Sequence, residues 1–383
     1  MKKCILIFLL LLLWSSGVLF AQQNVFPAPP QLISPEIHPD TTVTFRLYLP
    51  HARQVTVKGD WLPQGSASMQ LQNGVWTYHS PVLAPDLYIY TFNADGTDLV
   101  DPNNVYEIRD ASSLYNIFLV PGKASDLYRV QDVPHGTVAC RWYSSPSLQK
   151  QRRLSVYTPA GYEDSSLRYP VLYLLHGMGG DEEAWMHLGR ASQILDNLIA
   201  GGKAVPMIVV MSNGNVIQQA APGESPEGFY TPSFRLPRTM NGEYEASFKD
   251  VVSFVDRNYR TKADKNHRGI AGLSMGGFHS LYISACYPDS FGYVGLFSPA
   301  IRPEQMSAVY EHLDAKLQKQ AEEGCRLYWI GIGRDDFLYN DVEAFRQKMD
   351  TLQIPYVYKE TGKGHVWSNW RNYLTEFLMQ IFR

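Results

Sequence analysis

Residues 267–280 read HRGIAGLSMGGFHS and carry the strongest indication of fold in the chain. A short apolar run leads into Ser274, which stands between glycines, and a segment with helical spacing follows directly. Small neighbours are needed where a strand turns so sharply into a helix that the two backbones nearly touch. The pattern therefore predicts a strand, a tight turn and a helix, with the Ser274 hydroxyl held out at the carboxyl end of the strand.

The sequence on both sides of this turn alternates between apolar runs and helical segments. PVLYLLHG at 170–177 and MIVVMSNG at 207–214 are apolar without period-two alternation. EAWMHLGRASQILDNLIAGG at 183–202 has helical spacing throughout and is predicted to be one helix. Strands of this kind are buried on both faces, so residues 136–383 are predicted to form an α/β domain with a mostly parallel sheet.

The chain ahead of residue 122 consists of short alternating runs with frequent turns. TVTFRLYL and LYIYTFNADG are examples, and such runs at intervals of about 8 to 12 residues indicate an all-β sandwich. We therefore predict a small immunoglobulin-like sandwich at 26–121 and a polar linker at 122–135. Four of its aromatic residues are expected in the sandwich core: Trp61, Trp76, Tyr88 and Tyr90.

The first residues indicate an export signal. A basic start precedes an apolar run at 5–13, and cleavage is predicted after Ala21, which makes 1–21 a signal peptide. The run is shorter than the roughly 20 residues of a membrane span, so we expect no stable membrane insertion after its removal. A secreted or periplasmic location is predicted, with a retained anchor as the alternative.

Charge and cysteine content narrow the possible functions. The formal net charge of −3 gives no electrostatic footprint for nucleic acid. Beyond the predicted signal peptide the cysteines are Cys140, Cys286 and Cys325, an odd number at wide spacing. This pattern excludes a disulfide framework, and we expect all three thiols to be free and mostly buried.

Ser274 is the candidate nucleophile, since GLSMG at 272–276 matches the G-x-S-x-G nucleophile elbow. A plain turn serine is the alternative. A serine hydroxyl needs a base to take its proton, and the base needs an acid to orient it. In proteins with this elbow the three residues follow along the chain in the order serine, acid, histidine. His365 lies in the glycine-rich stretch ETGKGHVWSNW and is the candidate base. His312 is expected on a solvated face, and His279 is expected to pack within the helix of the elbow.

The acid should follow the preceding strand, in RLYWIGIGRDDFLYN at 326–340. Asp335 and Asp336 both stand at the end of that strand, and an acid there could hold the ring nitrogen of the base. We prefer Asp336, and Asp335 remains the alternative.

An oxyanion hole is also needed, because the tetrahedral intermediate carries charge on oxygen. One expected donor is the backbone N–H of Met275, directly after the nucleophile. The second should come from LLHGMGGDEEAW at 174–185, where Met178 or Gly177 is the candidate donor. His176 precedes the elbow in chain order, so we expect it to be a structural hydrogen-bonding residue.

Four stretches in order resemble the esterase-D-like α/β-hydrolases, and in particular the feruloyl and acetyl-xylan esterases of the first carbohydrate esterase family. They are YLLHGMGGDEEAW, DRNYRTKADKNHRGIAGLSMGG, IGIGRDDFLYND and GKGHVWSNWR, within about 136–383. The resemblance implies an α/β-hydrolase fold and a triad of Ser274, Asp336 and His365, with no metal or other cofactor. The family pattern of glycine, two residues, aspartate, one residue and leucine falls on 333–338, which implies Asp336 as the acid.

The sandwich is similar to early-set modules found ahead of such esterases. VKGDWLP at 57–63 and YIYTFNADGTDLVDPNN at 88–104 are also similar to glycogen-binding modules. The sequence departs from the binding pattern at Gln64, where a second sugar-stacking tryptophan is expected, and at Thr91, where a lysine is expected. We therefore favour a packing role or a role flanking the active site.

A long loop at 213–248 is expected to contribute to the substrate site, since loops of this length are usually functional. The candidate substrate-binding residues are Trp185, Phe229, Tyr230, Phe234 and Trp367, whereas Trp370 is expected in the core. For the loop residues the alternative is that they only anchor the loop. The predicted partner is an ester-substituted plant polysaccharide or oligosaccharide, with feruloyl esters first and acetyl esters second. The alternative functions are a siderophore trilactone esterase, an acyltransferase acting on a sugar, and a non-catalytic glycan-binding protein.

Overall fold

The computed structural model describes residues 32–383 except residues 228, 230 and 231. The predicted signal peptide at 1–21 and the candidate substrate residue Tyr230 lie outside the described residues. Within them, no helix is both long and apolar enough to cross a membrane.

Two antiparallel sheets form the N-terminal domain. Its strands are β1 (Glu36–Ile37), β2 (Val43–Tyr48), β3 (Val55–Gly59), β4 (Ser66–Ser68), β5 (Gln70–Gln72), β6 (Val75–His79), β7 (Leu87–Ala94), β8 (Thr97–Leu99), β9 (Glu107–Asp110) and β10 (Ser113–Leu119). One sheet has the order β1-β2-β6-β5, and the other has the order β4-β3-β7-β10-β9, with β8 paired to β7. The predicted all-β sandwich is confirmed.

Aromatic rings fill the space between the two sheets. Trp76, Tyr88 and Tyr90 are buried, and Trp61 is half-buried and stacks on Phe45 at 5.2 Å between ring centroids. All four predicted aromatic residues belong to the sandwich core or pack against it.

The C-terminal domain is built on a third sheet. Its strands are β11 (Thr137–Ser145), β12 (Lys150–Thr158), β13 (Val171–Leu175), β14 (Ile208–Ser212), β15 (Arg268–Leu273), β16 (Tyr293–Phe297), β17 (Leu327–Gly333) and β18 (Val357–Thr361). The order is β11-β12-β14-β13-β15-β16-β17-β18, and the pairs from β14 to β18 are parallel. The predicted mostly parallel sheet is confirmed.

Helices cover both faces of this sheet. They are α1 (Ala184–His187), α2 (Ala191–Ala200), α3 (Glu243–Asn258), α4 (Met275–Cys286), α5 (Leu313–Glu322), α6 (Tyr339–Thr351) and α7 (Trp367–Leu378), and short 3₁₀ helices span Ser125–Leu127 and Lys265–His267. Every residue of β13, β14, β15 and β16 is buried, as expected for strands covered on both sides.

The prediction of one helix at 183–202 is wrong, because α1 and α2 are separate. Arg190 between them adopts a left-handed conformation with φ of 55°. A Cβ on the preceding Gly189 would lie 2.4 Å from the Trp185 ring, so glycine lets the chain fold back tightly over that ring. The helical spacing of the segment continues through this break, and sequence periodicity alone does not reveal it.

The predicted linker at 122–135 is docked against the C-terminal domain. Tyr128 is 3% exposed, and the side-chain amide of Asn197 donates to three backbone carbonyls of this segment. Arg371 of α7 lies 3.0 Å from Asp86, which precedes β7. These contacts tie the sandwich to α2 and α7.

Cys140, Cys286 and Cys325 are free, as predicted. The expectation of burial is wrong for Cys140, which is exposed. It lies on the edge strand β11, whose alternate residues from 138 to 144 are exposed.

Candidate active site

The turn after β15 places Ser274 in a strained conformation. Its backbone has φ of 52° and ψ of −115°, and α4 begins at the next residue. The Ser274 N–H donates to the carbonyl of Phe297 at 2.9 Å, and its carbonyl accepts from the N–H of Ala300 at 3.0 Å. Strain of this kind costs about 1–3 kcal/mol and persists only where the surroundings enforce it. The end of β16 and the loop after it therefore hold the elbow in place.

The glycines around Ser274 are required by close backbone approaches. A Cβ on Gly272 would lie 2.4 Å from the backbone of Gly276, and a Cβ on Gly276 would lie 2.3 Å from the Leu175 carbonyl oxygen. Side chains do not fit at such distances, so the elbow depends on glycine at both positions. This is the physical origin of the GLSMG pattern.

The loop after β13 lies beside the elbow. A Cβ on Gly177 would be 3.4 Å from the Ser274 Cβ. The Gly177 carbonyl lies 2.7 Å from His176 Nδ1 and accepts from the Gly180 N–H at 3.1 Å. Because a trans peptide is planar, the N–H of Met178 points away from these two donors. This peptide group is therefore fixed by hydrogen bonds, and Met178 lines the same cavity as Ser274.

His176 is held as a neutral imidazole. It is 1% exposed, and burial lowers the pKa of its ring to about 4. Its Nε2 accepts from the Gly214 N–H at 2.8 Å, so the proton resides on Nδ1 and is donated to Gly177. His176 is thus a hydrogen-bonding residue between two loops, the structural position that the sequence predicts.

This buried histidine predicts a pH-dependent stability. Unfolded histidine binds a proton near pH 6.5, whereas His176 does so near pH 4, so the unfolded state binds more protons in that window. Stability should therefore fall by about 3 kcal/mol as the pH drops from 6.5 to 4. We expect denaturant midpoints to show a shallower decline in His176→Asn than in wild type. The exposed-site change His312→Asn should keep the wild-type slope, and equal slopes in all three proteins would contradict the assignment.

His365 and Asp336 form the second part of the site. His365 Nδ1 lies 2.9 Å from Asp336 Oδ2 and 3.1 Å from Asp336 Oδ1. Asp336 is 4% exposed, and its Oδ1 also accepts from the Leu338 N–H at 2.9 Å. Asp335 is exposed, and among the described residues its side chain forms no hydrogen bond or ion pair with His365. The structure thus places Asp336, not Asp335, on the imidazole.

The loop that carries His365 is fixed from below by α7. The side-chain amide of Asn369 donates to the carbonyls of Gly362 and Gly364, each at 3.0 Å. The rings of Trp370 and Phe337 meet the imidazole at centroid distances of 4.8 Å and 4.6 Å. Trp370 is buried in the core, as expected, and it also supports the imidazole.

Ser274 and His365 line one cavity of about 580 Å³. These two side chains, both described, form no hydrogen bond with each other in this structure. Catalytic hydrogen bonds are often long in ligand-free enzymes and tighten when substrate binds. Within the part of the chain that the structure describes, no cluster of histidine, cysteine or acidic side chains is suited to a metal ion.

The candidate substrate residues divide into two groups. Trp367 and Phe234 line the cavity. Trp185 does not, because its ring is 1% exposed and its N–H donates to the Leu175 carbonyl at 2.9 Å, so it belongs to the core beneath Trp367. Phe229 is 97% exposed and does not line the cavity. Its ring lies near Gly223. The expectations for Trp185 and Phe229 are therefore corrected.

The sequence matches known families over both domains. The profile of a family described as "Putative esterase" matches residues 145–381, which is more than half of the chain. The chain therefore belongs to this esterase family. Residues 34–108 match the profile of carbohydrate-binding module 48, the isoamylase N-terminal domain.

Individual relatives agree with this membership. The esterase is 30% identical to an endo-1,4-beta-xylanase/feruloyl esterase of Xylanibacter ruminicola, over 91% of this chain and 46% of that protein. The chain thus spans about half the length of this curated relative. The predicted resemblance to the feruloyl and acetyl-xylan esterases, with a sandwich ahead of the catalytic domain, is confirmed.

Solved structures show the same fold. A ferulic acid esterase of Anaeromyces mucronatus superposes with a TM-score of 0.53 at 24% identity, covering 67% of this chain and 95% of that one. The enterobactin esterase of Shigella flexneri superposes with a TM-score of 0.61 at 18% identity, covering 88% of this chain and 92% of that one.

The esterase cavity also has walls that sequence reasoning missed. The sandwich contributes Asp60, Leu87, Ile89, Ile108 and Asp110 to the lining. The sequence patterns place these residues in the sandwich but do not show that they reach the cavity, because that depends on how the two domains dock. The sandwich thus flanks the cavity that contains Ser274.

Proposed function

We propose that the chain is an exported serine carboxylic ester hydrolase that removes feruloyl groups, or secondarily acetyl groups, from plant cell-wall xylan. The observation that carries this proposal is the buried Asp336 carboxylate on His365 Nδ1, with His365 and the strained Ser274 facing one cavity. This constellation is the arrangement that activates a serine for acyl transfer.

The proposed reaction proceeds through an acyl-enzyme. Ser274 Oγ attacks the ester carbonyl carbon while His365 Nε2 takes the hydroxyl proton. The tetrahedral intermediate then expels the alcohol, which receives that proton, and the acyl group remains on Ser274. Water attacks the acyl-enzyme with the same base, releases the carboxylic acid and restores the Ser274 hydroxyl. Asp336 keeps the Nδ1 proton in place and stabilises the imidazolium that forms.

The backbone N–H groups of Met275 and of Met178 or Gly177 are proposed to hold the oxyanion. Met275 is the first residue of α4, where backbone N–H groups have no partner within the helix. His176 and Gly180 fix the Gly177 carbonyl and so orient the Met178 N–H before substrate arrives. Preorganised donors of this kind are typically worth about 10²- to 10³-fold in rate each.

The cavity surface supports an aromatic acyl group. Trp367, Phe234, Leu87, Ile89 and Ile108 give it apolar walls. The name of the Xylanibacter ruminicola relative combines xylan cleavage with feruloyl ester hydrolysis, and the N-terminal match is to a carbohydrate-binding module. We therefore propose an ester-substituted xylan or oligosaccharide as the partner, outside the cell or in a periplasm.

A siderophore trilactone esterase is the second candidate. The enterobactin esterase of Shigella flexneri covers both domains of this chain, but at 18% identity this likeness shows the fold alone. Acyl transfer to a sugar uses the same acyl-enzyme, with the sugar hydroxyl in place of water.

A panel of esters distinguishes these functions. We expect the purified protein to hydrolyse methyl ferulate with a kcat/KM at least about tenfold above that for acetylated xylan or p-nitrophenyl acetate, because the aromatic acyl group fills the apolar walls. Enterobactin should be turned over slowly or not at all, and an added acceptor sugar should yield no new ester. If the protein hydrolyses the trilactone but no ferulate ester, the proposal is contradicted and the siderophore function is favoured.

A further inference from the structure

The hairpin formed by β9 and β10 is docked on the loop that carries the candidate oxyanion donors. Arg109 forms an ion pair with Asp181 of that loop, and its guanidinium also donates to the Ala111 carbonyl at 3.1 Å. A Cβ on Gly179 would lie 2.8 Å from the Cβ of Ala111. The tip of the hairpin is therefore held against the active site by charge and by close packing.

This docking places Asp110, the last residue of β9, in the wall of the cavity that contains Ser274 and His365. Its carboxylate is half-buried beside Ile108 and Trp367, and burial raises the pKa of this carboxyl. The Trp367 side chain, in the same wall, partly offsets this rise in pKa. The neighbouring Arg109 pairs with Asp181 instead, and Asp110 forms no ion pair within the part of the chain that the structure describes.

An ionised carboxylate has about four acceptor positions, and leaving them unfilled in an apolar wall is costly. The indole N–H of Trp367, in the same wall, can fill one of these positions. A hydroxyl group on a bound substrate can fill another, and a hydrogen bond to a charged group contributes more than one between neutral groups.

We infer that Asp110 is a specificity-determining residue, supplied by the sandwich domain, that accepts a hydrogen bond from a hydroxyl group of the substrate. The inference rests on the proposed function, since it concerns the same cavity and the same ester substrates. Two hydroxyl sources have the required chemistry: the phenol of a hydroxycinnamoyl group and a hydroxyl of the sugar that carries it. The sandwich therefore takes part in substrate recognition within the active site.

The test compares Asp110→Leu, Asp110→Asn and the control Asp132→Leu, which removes an exposed carboxylate outside the cavity. The substrates are methyl ferulate, methyl 3,4-dimethoxycinnamate, which lacks the phenolic hydroxyl, and a feruloyl arabinofuranoside. If the phenol is the donor, Asp110→Leu lowers kcat/KM for both feruloyl esters by about 10- to 100-fold. Its kcat/KM for the dimethoxy ester stays within about threefold of wild type.

If a sugar hydroxyl is the donor, only the feruloyl arabinofuranoside shows this loss. The kcat/KM of Asp110→Asn should lie between those of wild type and Asp110→Leu, because the amide oxygen still accepts a hydrogen bond. This variant also provides a readout if the leucine variant does not fold. An equal change on all three esters, or no change on any, overturns the inference. If wild type hydrolyses methyl ferulate but the Asp110 variants show no selective effect, only the inference about Asp110 is overturned. If wild type is inactive on both feruloyl esters, the proposed function is overturned as well.

Discussion

Replacing Ser274 with alanine is expected to lower kcat for ester hydrolysis by roughly 10⁵-fold, the largest effect of any single change in this chain. The reason is that acyl-enzyme formation needs the hydroxyl, whereas the oxyanion donors and the apolar walls remain and give only a small residual rate. The measurement is steady-state hydrolysis of p-nitrophenyl acetate and methyl ferulate. KM should change little, because the cavity keeps its other walls.

Covalent labelling gives an independent readout of the same residue. A fluorophosphonate probe should modify wild type stoichiometrically and leave Ser274→Ala unlabelled. Ser66→Ala, which changes an exposed serine of β4, should keep both the wild-type rate and the labelling. Rapid hydrolysis by Ser274→Ala would show that Ser274 is not the nucleophile and would favour its interpretation as a plain turn serine.

The elbow could be predicted from sequence because its physical demands are local. Gly272 and Gly276 are needed for backbone contacts within one strand, one turn and one helix, so the whole motif is contained in a single stretch. The sheet could be predicted for a similar reason. A strand buried on both faces, such as β13, must be apolar at every position, and this leaves a continuous signal.

The walls that the sandwich contributes to the cavity could not be predicted, because they are set by contacts between distant segments. Ile108 and Asp110 reach the site only through docking of the β9–β10 hairpin on the loop after β13. The sequence predicts Trp185 in the wall because it lies near that loop along the chain. The turn at Gly189 and the hydrogen bond to Leu175 direct its ring into the core instead.

The role of His176 could be predicted from sequence only in part. Its chain position ahead of the elbow excludes it from the predicted order of catalytic residues. Its partners, the Gly177 carbonyl and the Gly214 N–H, belong to two loops that sequence does not connect. The structural role was therefore predictable, but the link to the orientation of the Met178 N–H was not.

The two adjacent aspartates after β17 allow a direct test of which carboxylate orients the imidazole of His365. Asp336→Asn is expected to lower kcat by about 10⁴-fold, because an amide that donates to Nδ1 favours the tautomer with the proton on Nε2, which cannot accept the Ser274 proton. Asp335→Asn should stay within about twofold of wild type, since Asp335 is exposed and its side chain is not on the imidazole.

The two variants remove the same charge one residue apart, so general electrostatic effects on the site are nearly matched between them. The measurement is kcat for p-nitrophenyl acetate across pH 5 to about 10, with folding checked by thermal unfolding. A geometric role of Asp336 affects catalysis far more than stability, so the loss in kcat should appear in folded protein. Equal losses in both variants would show that negative charge near the loop matters more than the contact with His365 Nδ1. A larger loss in Asp335→Asn would assign the acid to the other aspartate and require the loop after β17 to rearrange when substrate binds.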